Sequence, residues 1–192
     1  EVSVLMKSGT TTPGTLASWD GRRGPVYGLN TARNSLATTG ATAKLNGPLS
    51  IGADIWSYEV TSDSQYALYL ADHDRADRND LYRVRVDGSD DPVRLSQGLA
   101  GNYQIYNMEV TSDSDWAIAT VQVTNEPDAL YSFAVDNSSP PALLNSTAIS
   151  NARLSYFMLS PDGNYVVYRA EEDTSGVWEI YSAPTDGSGS QM

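Results

Sequence analysis

The chain has 192 residues, 40% of them apolar, and sets 12 Lys and Arg against 24 Asp and Glu, a formal net charge of −12. That balance argues against a nucleic-acid partner, which draws its affinity from a basic surface, and it suits an acidic surface that attracts cations. The absence of cysteine excludes disulfide frameworks and thiolate metal sites, and no apolar run approaches the roughly eighteen residues of a membrane span.

The chain opens at Glu1 without a basic-then-apolar leader, which reads as a processed form or a piece of something longer. Val2, Val4 and Met6 have the alternation of an entering strand, and a strand-like run at 15–19 is followed by Asp20-Gly21. Val26-Tyr27 and Leu45-Asn46 then complete a degenerate first copy of a pattern that the rest of the chain writes more clearly.

The second copy contains Glu-Val-Thr-Ser-Asp-Ser at 59–64, and the third spells the same six letters at 109–114. With Asp63 and Asp113 as anchors, Asp162 falls at the same place in Ser-Pro-Asp-Gly. Each anchor leads into an aromatic-headed apolar run, at 66–71, 116–120 and 165–168. A polar loop follows, then a second strand carrying Tyr82, Tyr131 or Tyr181, then a turn built on Asp87, Asp136 or Asp186. Spacings agree within one residue across these three copies, so a unit of about fifty residues has been repeated.

The pieces read as strands. Tyr82, Val84 and Val86 alternate with Leu81, Arg83 and Arg85, the period of a half-buried strand, while 66–71 is apolar nearly throughout, as in a strand covered on both faces. Asp-Gly and Asp-Asn supply residues that tolerate positive φ in a tight hairpin. No segment shows a capped apolar stripe of period 3.6. The expectation is an all-β chain, a β-propeller of about four four-stranded blades at approximately 1–50, 51–100, 101–148 and 149–192, because a lone sheet buries neither face until neighbours stack on it.

From Ser160-Pro161-Asp162-Gly163 through Glu179-Ile180-Tyr181 to Asp186-Gly187-Ser188, the chain resembles the WD40-like (PD40) repeat of TolB-like propellers. The likeness runs over 54–188, with Ser62 and Ser112 where the repeat usually has proline. It implies a non-catalytic binding or structural module of the bacterial periplasm or extracellular space, acting through a protein partner or by self-assembly through blade faces. The same blades also form the gating propeller of prolyl-oligopeptidase-like serine peptidases, whose hydrolase domain would lie outside this chain. The blade motif carries no catalytic residue.

Two closures are open. Residues 2–6 complete the last blade and close a small ring, or the chain is an arc of a larger propeller whose apolar end faces need a cover.

The candidate chemistry lies in two acidic loops. Asp72, Asp74, Asp77 and Asp80 form one oxygen-rich set, and Glu171, Asp173, Ser175 and Glu179 form another. Alternating oxygen donors with a closing acid suit calcium, the one cofactor the chain suggests, although neither loop has a full calcium-loop pattern. The opposing reading is a solvated charged hairpin in which Arg75 and Arg78 pair with the carboxylates. His73 is the single histidine, and without a Gly-x-Ser-x-Gly elbow it supports no hydrolase triad. Two Asn-x-Ser/Thr triplets, at Asn137 and Asn145, are no more than this composition produces by chance. Tyr103 and Tyr106 belong either to a surface or to a packed junction between blades.

Overall fold

The structure, a computed structural model, describes the backbone at 4–6, 17–20, 24–26, 29–30 and 35–36, and residues 42–73, 78–147, 150 and 152–189. The chain divides into two compact units, Glu1–Ala43 and Lys44–Met192. Every described element is a β-strand.

In the first unit, β1 (Val4–Met6), β2 (Ala17–Asp20) and β3 (Gly24–Val26) form an antiparallel sheet, and β4 (Leu29–Asn30) pairs with β5 (Ser35–Leu36). Val4 stands opposite Trp19. Val4–Met6, the described part of the strand considered for ring closure, is hydrogen-bonded beside β2.

The second unit holds three successive meanders. The first is β6 (Ile55–Val60), β7 (Tyr66–Ala71), β8 (Asp80–Arg85) and β9 (Val93–Arg94). The second is β10 (Tyr103–Val110), β11 (Trp116–Val123), β12 (Ala129–Ala134) and β13 (Ala142–Leu143). The third is β14 (Leu154–Leu159), β15 (Tyr165–Ala170) and β16 (Glu179–Pro184), three strands among the described residues. All pairings are antiparallel and link sequence neighbours, as short turn-bearing connections require. Each leading strand of the second unit has a bulge, near the start of β6 and β14, between Ile55 and Ser57 and between Leu154 and Tyr156, and in the middle of β10, between Tyr106 and Met108.

The core lies in the seams between sheets. Leu68, Leu70, Leu81 and Leu95 of the first sheet pack against Ile105, Met108, Ala117 and Ala119 of the second. Ile118, Leu130 and Leu144 of the second pack against Phe157, Val166 and Tyr168 of the third. On the opposite face of the first sheet, Tyr69 stacks on Tyr82 at 5.3 Å between ring centroids, and Leu45 packs against them. At about 1.5–3 kcal/mol per large apolar side chain removed from water, these seams supply the main gain that orders the sheets. Tyr66–Ala71 is covered on both faces, as its apolar run predicts, whereas Tyr165–Ala170 alternates buried and exposed.

Candidate functional site

The repeated hexapeptide is a structural joint. Thr61 Oγ1 donates to the Asp63 carboxylate at 2.5 Å, Asp63 accepts the Gln65 N–H at 3.0 Å, and Thr61 Oγ1 accepts the Tyr66 N–H at 3.0 Å. Thr111, Asp113, Asp115 and Trp116 reproduce this arrangement with the same distances. Ser160, Asp162, Asn164 and Tyr165 repeat it a third time.

The copies also touch each other. The Glu59 carboxylate accepts the Val110 N–H at 3.1 Å, and Ser114 Oγ accepts the Asp63 N–H at 3.1 Å. At the next seam Ser112 Oγ donates to the Pro161 carbonyl at 3.1 Å, a bond that the repeat's usual proline would not make. Ser132 Oγ donates to the Thr185 carbonyl, and Thr185 Oγ1 donates to the Gly163 carbonyl at 2.7 Å.

The residue after each anchor has positive φ: Ser64 at 60°, Ser114 at 71° and Gly163 at 77°. Glycine is required at 163 for a second reason, since a Cβ there would lie 3.0 Å from Ser112 Oγ and 3.2 Å from its backbone nitrogen. Ser64 is exposed and bears the left-handed strain without the seam bond that Ser114 makes. Ser64→Gly is therefore expected to stabilise the chain by about 0.5 kcal/mol, raising the melting temperature by about 1–2 °C. Ser114→Gly should show no such gain, and differential scanning calorimetry on both variants checks the pair.

Five turn aspartates are held below the ordinary carboxylate range by hydrogen bonds. The Thr61 and Ser160 hydroxyls lower Asp63 and Asp162, and the side chains and backbones of Ser89, Ser138 and Ser188 lower Asp87, Asp136 and Asp186. Their ionised forms are favoured by the folded state, so this stability is present above the unfolded carboxylate pKa and lost as pH falls through the lower folded one. Burial acts oppositely on Glu59 and Glu172, which are raised and whose cost is relieved on acidification. The melting temperature should stay level from neutrality to about pH 5 and drop steeply below about pH 4. Replacing the five aspartates by asparagine should flatten that acid limb, as a pH series of thermal melts will show.

Four of the eight candidate residues in the acidic loops, Asp72, Asp80, Glu171 and Glu179, are bonded within the protein. Asp72 accepts the Asp54 N–H at 2.6 Å. Asp80 is fully buried and accepts from Ser96 Oγ at 2.7 Å, from Arg78 Nη2 at 2.7 Å and from the Tyr103 hydroxyl. Asp74 and Asp77 lie outside the described residues. In the last loop Glu171 pairs with Arg153 at 2.7 Å, and Glu179 accepts from the Tyr181 hydroxyl at 3.0 Å. Asp173 and Ser175 are exposed. Among the described residues no three acidic or imidazole side chains converge as a metal site would require. His73 Nε2 donates to the Pro48 carbonyl at 2.7 Å, and its ring meets Tyr82 edge-on. Asn145 is buried, with its amide bonded to Leu130 N–H and Asp128 carbonyl.

Of the apolar end faces expected for an arc, the structure shows one, the outer face of the third sheet. Leu68, Ile118 and Val167 occupy one register position, and Leu81, Leu130 and Ile180 another. In the first two sheets all four residues are fully buried by the following sheet. In the third, Val167 is 42% exposed and Ile180 77% exposed. Met158 pairs with Val167, and Tyr156 with Arg169, so the exposed Met158 and Tyr156 extend the same face. Met158, Val167 and Ile180 are apolar letters at seam positions, but the face they share becomes visible only once register is known.

No family model matches the chain, and no curated protein matches it. Among solved structures it is similar to a protein described as TolB from Agrobacterium tumefaciens, at 14% identity and a TM-score of 0.53, over 97% of this chain and 56% of that one. It is also similar to TolB from Acinetobacter baumannii, at 16% identity and a TM-score of 0.48, over 90% of this chain and 38% of that one. The fold is TolB-like. The chain thus spans about half, or less, of the length of these TolB structures. At such identities the likeness concerns the fold, and function has to be argued from the site.

Proposed function

We propose that this chain is a non-catalytic TolB-like propeller segment that works by protein–protein contact, in the periplasm or outside the cell. The observation that carries this reading is the apolar outer face of the last sheet, formed by Tyr156, Met158, Tyr165, Val167 and Ile180. Both seams within the second unit close over the equivalent positions with another sheet, so the chemistry that fits this face is a further blade with an apolar leading strand. Among the described residues His73 donates to the Pro48 carbonyl, Asp72 accepts the Asp54 N–H and Asp80 pairs with Arg78, which are structural roles.

Sedimentation velocity over a range of concentrations tests the reading. The chain should self-associate, and Val167→Glu with Ile180→Glu should return it to a monomer with an unchanged far-ultraviolet spectrum. A chain that stays monomeric throughout, with no dye binding at its apolar surface, would overturn the proposal.

A further inference from the structure

The outer face of the third sheet is ordered chemically along its central strand. On β15 the outward residues Tyr165, Val167 and Arg169 alternate with the buried Val166, Tyr168 and Ala170. Cross-strand pairing sets three rows across the face. Tyr156, Arg169 and Ile180 form the first row, Met158, Val167 and Ser182 the second, and Tyr165 with Pro184 the third. An aromatic ring thus stands at one end of the strand, a guanidinium at the other and an aliphatic side chain midway.

That order is self-complementary. In an isologous contact residue i of one copy meets j of the other, and j meets i. Take a two-fold axis between two such faces, at right angles to the strands and level with Val167. Each strand then lies antiparallel over its own counterpart, within the roughly 30° that packed sheets allow. Val167 meets Val167, Ile180 meets Pro184, and Arg169 of each copy falls on the Tyr165 ring of the other. A two-fold axis along the strands would instead set Arg169 against Arg169, a like-charge contact that costs several-fold in affinity.

The chain already makes this Arg–Tyr contact internally. Tyr66 and Tyr165 each stand three residues after their turn aspartates. Arg83 and Arg85 lie over the Tyr66 ring at 4.7 and 5.4 Å, whereas Tyr165 pairs with Pro184 and is 51% exposed. Arg169 is held ready, over Trp178 at 4.3 Å and bonded to Ser155 Oγ at 3.3 Å. We propose that a second copy of this chain covers the face as an antiparallel isologous dimer, each Arg169 resting on Tyr165 of the other copy. This rests on the contact role proposed above and adds its occupant and geometry. At about 150–250 Å² for each aromatic ring, the exposed apolar residues offer on the order of 500 Å² per copy. That is short of the roughly 800 Å² per partner of a standard interface, so the dimer is weak and concentration-dependent. The net charge of −12 on each copy opposes it, and added salt should strengthen it by screening that repulsion.

Sedimentation velocity over a concentration series, at low and high salt, reads the outcome on the full chain. The parent should reach a dimer and go no further. Tyr165→Arg sets guanidinium against guanidinium and should weaken dimerisation about tenfold or more. Combining Tyr165→Arg with Arg169→Tyr restores an Arg–Tyr pair in each half and should recover the dimer. Both positions are exposed, and Trp178 keeps Arg153 at 5.1 Å in the exchanged variant, so circular dichroism should match the parent. Self-association that Val167→Glu abolishes but that the exchange fails to recover overturns this geometry and leaves the contact role standing. Indifference to Tyr165→Arg, or growth beyond two copies, does the same. A parent chain monomeric at every concentration and salt overturns the dimer outright.

Discussion

Asp80→Ala is expected to cost about 3–5 kcal/mol, a drop in melting temperature of about 6–20 °C, because it strands the partners of a buried carboxylate. Asp80 sits at the start of β8 with no solvent exposure. One oxygen accepts from Ser96 Oγ and the Tyr103 hydroxyl, and the other accepts from Arg78 Nε at 3.0 Å and Nη2 at 2.7 Å, with Arg94 at 3.8 Å. Arg78 also lies over the Tyr103 ring at 5.1 Å. Truncation removes the anion and leaves a guanidinium and two hydroxyls facing an apolar seam. Asp80→Asn keeps an acceptor for Ser96 and Tyr103 while losing the ion pair, so its cost should be smaller. Equal losses for alanine and asparagine in urea unfolding would show that the ion pair, not the hydroxyl acceptors, dominates the site.

Leu130→Ala and Ile180→Ala form the second large contrast. The two residues occupy one register position, yet Leu130 is sealed in the seam with Phe157 and Val166, and Ile180 is open. Leu130→Ala should cost about 2–5 kcal/mol through lost transfer energy and a cavity. Ile180→Ala should stay within about 0.5 kcal/mol for the monomeric chain. Chemical denaturation at low protein concentration separates them. Comparable losses at both positions would mean that the third sheet's outer face is buried in solution.

The repeat and its turns were legible because each demands particular residues at fixed spacing. Asp63, Asp113 and Asp162 all accept the N–H two residues on, and Asp87, Asp136 and Asp186 do the same in the second turn, at 3.0, 2.8 and 2.9 Å. The pairing of Arg78 with Asp80 was also open to reading, as the alternative to an ion site in that loop. What spacing did not convey was depth. Asp80 looks like one more acid in a charged run, and its burial follows only from Ser96 and Tyr103, which arrive from distant positions. Tyr103 and Tyr106, three residues apart, split between the two roles open to them: the first is buried and the second half-exposed, with the bulge at Asn107 close by. Such irregularities of register leave no mark in an alternating pattern.

The mutual grip of the two hexapeptides carries a further consequence. When a segment recognises the copy that follows it, the carboxylate of one clasping the backbone of the next, duplication of the gene segment supplies its own mating surface at once. Inserting another hexapeptide-bearing unit beside these two would supply the same pair of bonds again. A lineage built this way can change its number of units in single genetic events, without having to evolve a new contact each time.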